Sequence, residues 1–116
     1  MAITITSSSV VWPSTISQTN AGIGYGQSWQ NVSGSRSVNT TYTNSTGRPI
    51  MILFTPNASA NCYGSCLVDG ITVGYQQFTP SGGGGCALFS FIVPNSSTYA
   101  IVPASNFSTL YWYELR

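Results

Sequence analysis

The sequence predicts an all-β fold: a jelly-roll-like antiparallel β-sandwich of about eight short strands, preceded by an extended N-terminal arm. Three observations predict it. Short runs rich in Val, Ile, Thr, Tyr and Phe recur between clusters of Gly, Asn, Ser and Pro, which is the signature of strands and turns. No window places apolar residues at helical spacing among helix formers. Lys is absent and Glu114 is the one glutamate, so the residues that most often support surface helices are missing.

Residues 1–25 form the arm. Ile3 and Ile5 alternate with Thr4 and Thr6, as a short strand requires, before a serine run, Pro13 and Gly22, Gly24 and Gly26 break the pattern. The arm has no basic start and no long apolar run, so it does not resemble a signal peptide. Its apolar residues Ile3, Ile5, Val10, Val11 and Trp12 are the candidates for docking onto another protein by extended or strand-like contacts.

Residues 26–116 form the head. Strands are expected over 28–32, 36–43, 49–55, 62–68, 71–78, 86–93, 98–102 and 108–115, joined by turn-like segments at 44–47, 69–70, 94–97 and 103–106. The sharpest of these is the Asp69-Gly70 hairpin, whose two-residue loop suits a type I′ turn. An unbroken register pairs Val68 with Ile71, Cys66 with Val73 and Gly64 with Tyr75. One face then carries Cys62, Cys66, Val68, Ile71, Val73 and Tyr75, and is the expected core face. The Gly-rich loop at 79–85 lacks the Gly-Lys-Ser/Thr ending of a phosphate-binding loop and is expected to be a plain connection.

Composition narrows the function. Charged residues make up 4% of the 116 residues: Arg36, Arg48, Arg116, Asp69 and Glu114, for a net charge of +1. Three arginines cannot build the basic face that a phosphate backbone demands, so no nucleic-acid partner is expected. Apolar stretches fall far short of the roughly 18 residues that span a bilayer as a helix, so no membrane insertion is expected. Histidine is absent, which leaves no side chain with an ordinary pKa between about pH 5 and 8. Low charge also favours association, so much of the surface is expected to be shared with other subunits.

Catalytic and metal chemistry lack their parts. Asp69 sits where a tight turn wants Asp, and Glu114 lies near Arg116 with Arg36 or Arg48 as further partners, so each carboxylate has a structural reading. No catalytic residue, cofactor or metal is expected, and the chain is read as a non-enzyme. Cys62, Cys66 and Cys86 leave two readings open: buried thiols, or one disulfide in which Cys86 pairs across strands with Cys62 or Cys66, with Cys66–Cys86 as the candidate pair. A cysteine-only zinc site would need a fourth ligand.

Aromatic side chains are the most plausible contact chemistry. Trp29, Trp112, Phe54, Phe89 and Phe91 are expected in the core. Tyr63, Tyr75, Phe78, Tyr111 and Tyr113 are the candidate receptor or subunit contacts. Strand alternation puts Tyr111, Tyr113 and Leu115 on one face and Leu110, Trp112 and Glu114 on the other, one of which is core.

The string from Gly26 to Arg36, with Ser28-Trp29-Gln30-Asn31-Val32 at its centre, is followed by Thr41-Tyr42-Thr43-Asn44-Ser45-Thr46-Gly47-Arg48-Pro49-Ile50. Then come Val68-Asp69-Gly70, Phe91-Ile92-Val93-Pro94, Thr98-Tyr99 and the ending Trp112-Tyr113-Glu114-Leu115-Arg116. These strings resemble the small β domain at the C-termini of bacteriophage tail fibre and related tail proteins, over most of residues 26–116. The resemblance implies a virion protein made in the host cytoplasm, forming a homotrimer as a short fibre or fibre tip that attaches to a host-surface glycan or protein. A capsid or tail decoration or connector protein is the alternative. It also implies that the arm meets other virion proteins, and that loops 57–61 and 79–85 are available for the host surface.

Overall fold

The computed structural model describes residues 4–5, 10–11, 22–57, 61–78, 88–105 and 107–116. In the arm, β1 (Thr4–Ile5) and β2 (Val10–Val11) pair antiparallel, with Ile5 opposite Val10. Ile3 and Trp12 lie outside the described residues.

The head holds β3 (Trp29–Asn31), β4 (Tyr42–Thr43), β5 (Ile50–Asn57), β6 (Cys62–Val68), β7 (Ile71–Phe78), β8 (Phe89–Val93), β9 (Thr98–Pro103) and β10 (Ser108–Leu115). They form two four-stranded sheets, in the orders β3-β10-β5-β8 and β4-β9-β6-β7. The pairing is nested: β3 with β10, β4 with β9, β5 with β8 and β6 with β7, each antiparallel. A long hairpin with that nesting, rolled so that alternate pairs fall in alternate sheets, is a jelly roll.

Each expected head strand has its counterpart; the largest departure lies at 36–43, where only Tyr42–Thr43 is strand. Asn39 takes a positive φ of 59°, and its N–H donates to the Ile101 carbonyl, so the chain turns before it can extend. Asn is among the few residues that adopt this conformation without much strain.

Inward positions follow the two-residue strand period. On β5, Ile50, Ile52, Phe54 and Pro56 point in; on β8, Phe89, Phe91 and Val93 do. Phe54 and Trp112 meet edge to face at 5.3 Å, and Phe54 also meets Phe89 and Phe107 at 5.8 and 6.0 Å. Tyr42 crosses from the second sheet to meet Trp112 at 5.9 Å. Each such pair adds about 0.5–1.5 kcal/mol beyond the area it buries. Trp112, Phe54, Phe89 and Phe91 are therefore core, as expected; Trp29 is not, and stands 47% exposed. It sits on the three-residue edge strand β3 opposite Leu115, an outward position of β10. Strand propensity does not say which face a residue takes.

The Asp69-Gly70 turn has both central residues at positive φ, 52° and 76°, which defines type I′. The register beyond it differs from the unbroken one. Leu67 pairs with Thr72 and Cys66 with Gly74, so Val73 is an extra residue in a β-bulge. The site opposite Cys66 has no room for a side chain: a Cβ at Gly74 would lie 2.7 Å from the Cys66 sulfur. The bulge delivers a glycine there. It also corrects the expected core face, since Cys62, Cys66 and Val68 are buried while Ile71, Val73 and Tyr75 are exposed.

Candidate functional site

The five charged side chains are all engaged in building the fold. Glu114, on β10 two residues from Trp112, points into the core and is 0% exposed. Arg36 grips it with two bonds, Nε to Oε2 at 3.1 Å and a terminal nitrogen to Oε1 at 3.2 Å. Arg116 Nε lies 3.6 Å from Oε1. The Tyr99 hydroxyl and the Trp112 indole N–H both donate to Oε2, at 2.7 and 3.2 Å. The Arg36 guanidinium also sits 4.6 Å above the Tyr42 ring. Tyr99 belongs to β9, so this carboxylate ties one sheet to the other. Burial, then the hydrogen bond to Glu114 and its charge, push the Tyr99 hydroxyl up to about 12.

Asp69 fastens the hairpin turn to the start of β9. Ser97 Oγ donates to one carboxylate oxygen at 2.8 Å and the Thr98 N–H to the other at 2.9 Å. Those two bonds, the Ser97 hydroxyl first, hold its carboxyl below the ordinary Asp range. Arg48 reaches the base of the arm, donating to the carbonyls of Gly22, at 2.9 Å, and Tyr25. Buried Asn44 pins the neighbouring corner, donating to the carbonyls of Arg48, Val93 and Pro94 at 2.7, 3.1 and 3.1 Å.

Each carboxylate is thus occupied by structural donors. Among the described residues, no group of three or more His, Cys, Asp or Glu side chains comes together to hold a metal. Cys66 is a free thiol whose Sγ lies 3.6 Å from the Gly74 carbonyl, and burial pushes that thiol up. Cys86, the other half of the candidate disulfide, lies outside the described residues. A half-open depression of about 150 Å³ on the second sheet is lined by Thr41, Leu67, Gly70, Thr98, Tyr99 and Ala100. It is below the roughly 300 Å³ at which pockets begin to enclose organic ligands.

The aromatic candidates separate onto two surfaces. Tyr111 and Tyr113 point outward from β10, their rings 6.3 Å apart and tilted by 42°. The Tyr113 hydroxyl lies 3.5 Å from the Asn31 amide nitrogen on β3. Tyr63 and Tyr75 belong to the other sheet, half-buried on β6 and exposed on the edge strand β7. Phe78 ends β7 at the backbone position opposite Cys62. The loop segments 58–60 and 79–87 lie outside the described residues.

Register shows what surrounds Tyr111 and Tyr113. Across the outer face of the first sheet, Trp29, Leu115, Met51 and Ile92 form one row. Asn31, Tyr113, Leu53 and Ser90 form the next. Trp29 and Ile92, at opposite edges, are 47% and 54% exposed. Sequence reasoning that sorted residues by aromaticity missed Met51, Leu53 and Ile92. The signal was available: Ile50-Met51-Ile52-Leu53-Phe54 is apolar without interruption, as in strands covered on both faces.

Compared with protein-family models, curated proteins and solved structures, the chain matches none.

Proposed function

We propose that the protein is a non-catalytic structural subunit of a bacteriophage virion. It serves as a short tail fibre or fibre tip that assembles as a homotrimer and takes part in attachment to the host surface. The observation that carries this reading is the outer face of the β3-β10-β5-β8 sheet, where exposed aromatic rings stand among aliphatic and amide side chains with no charge. Such a face makes contacts that depend little on salt or on pH, as a component that persists through changing media requires. The jelly roll supports the reading, since this architecture recurs in viral capsid and lectin domains. So does the resemblance of residues 26–36, 41–50 and 112–116 to phage tail proteins. In this reading the arm carries docking onto other virion proteins, with Arg48 holding its base to the head, and Tyr63 and Tyr75 remain available to a host glycan or protein.

The test is an inventory of the particle that carries this chain, by quantitative mass spectrometry and electron microscopy. A few tens of copies or fewer, on the tail, is the expected result. Hundreds of copies on the capsid would favour the decoration reading, and absence from the particle would overturn both. Purified protein at saturating concentration is expected to block adsorption of the phage; unimpaired adsorption would remove the attachment role.

A further inference from the structure

A sheet covered on one side by its own core normally turns polar side chains outward. The first sheet does so only in part: Asn31, Thr55 and Ser90 face outward, but among larger apolar side chains. Its central strands put Met51 and Leu53 from β5, and Tyr113 and Leu115 from β10, on the side away from the core. These four are half-buried rather than fully buried, so part of each side chain remains open to a further layer. Trp29 and Ile92 extend the apolar row to both edges.

We infer that this face is the subunit interface, covered by further copies of this same chain. The inference rests on the homo-oligomeric part of the proposed function and adds the surface that does the assembling. Two properties single out a second copy as the occupant. The first is size. With strands about 4.8 Å apart and about 3.3 Å of rise per residue, the face measures on the order of 15–20 Å by 20–25 Å. With side-chain relief, that is of the same order as the ~800 Å² each partner contributes to a standard interface. The second is charge. The outward positions of this sheet carry none, so two copies meet there without opposing like charges, whereas a charged partner would find no complement. Around a three-fold axis each face meets two neighbours and is shared between them.

The test compares matched isoleucines, one on each sheet, in the full chain. Ile92→Lys places a charge on the proposed interface, and Ile71→Lys places one at a comparably exposed site on β7. Mass is read by sedimentation velocity across a dilution series, and folding by far-UV and near-UV circular dichroism. The wild type is expected to be a trimer, Ile92→Lys a folded monomer or an assembly weakened at least tenfold, and Ile71→Lys a trimer. Trp29→Ser, at the opposite edge of the same face, is the second variant and is expected to weaken assembly without adding charge. A monomeric wild type would overturn the homo-oligomer itself. A trimeric wild type whose Ile92→Lys and Trp29→Ser variants remain trimeric would overturn the assignment of this face and leave the oligomer standing.

Discussion

The two sheets share one core but turn different faces to the outside. The β4-β9-β6-β7 sheet shows Thr98 and Val102 from β9, Tyr63, Ser65 and Leu67 from β6, and Thr72, Tyr75 and Gln77 from β7, a mixed and largely polar set. The β3-β10-β5-β8 sheet shows Trp29, Leu115, Met51 and Ile92 in a single row. The first pattern is that of a sheet that meets water. The second is that of a sheet with a layer still to be placed on it. The inner faces are alike in being apolar, so the difference is specific to the outside.

The largest effect is expected where the sheets are joined. Glu114→Ala leaves Arg36 partly buried without its carboxylate and frees the Tyr99 hydroxyl and the Trp112 N–H in the core. It is expected to cost about 3–5 kcal/mol, as breaking a buried ion pair does, measured by urea unfolding. Hydrogen exchange should rise together in β5 and β6. A rise confined to one sheet would mean that the two are not a single cooperative unit, and the comparison of their faces would lose its common frame.

A matched leucine pair sharpens the comparison. Leu53 and Leu67 are both half-buried and outward, one on each sheet. Each Leu→Ser change is expected to cost the subunit about 1 kcal/mol, the ordinary cost of such a change. Only Leu53→Ser should also weaken assembly, read as a concentration-dependent melting temperature that falls to the monomer value.

Alkaline titration probes the seam again. Tyr99 holds its proton up to about 12 in the fold, against 10.0 as the ordinary value. The unfolded chain loses that proton first, so this contribution is fully present below pH 10 and is lost as pH rises from 10 to about 12. Tyr99→Phe should flatten that part of the stability profile. The smallest effect is expected at Tyr75, 55% exposed on β7. Tyr75→Ser should stay within about 0.5 kcal/mol and leave assembly unchanged.

Much of the fold was legible because local chemistry and topology agree. Gly, Asn, Ser and Pro clusters marked the ends of the head strands, and Asp69-Gly70 specified its turn. Two features were hidden for a physical reason. The bulge at Val73 follows from the space around the Cys66 sulfur, a contact set by tertiary packing rather than by turn propensity. The outward setting of Trp29 depends on pairing with Leu115, 86 residues later in the chain. Alternation on β10 put Tyr111 and Tyr113 on one face, as the fold has them, but the surface around them is assembled by register across four strands. Among the charges, the Glu114–Arg116 proximity was visible and Arg36 stood with Arg48 as a candidate partner, of which the fold takes Arg36; the Tyr99 and Trp112 bonds to Glu114 were not visible.

The most direct measurement is hydroxyl-radical footprinting of the wild-type protein at high and low concentration in the same buffer. Protection that grows with concentration is expected at Trp29, Met51, Tyr113 and Ile92, with Tyr63, Leu67 and Tyr75 equally reactive in both samples. Equal reactivity of the two outer faces at every concentration would contradict the claim that the first sheet is built to be covered.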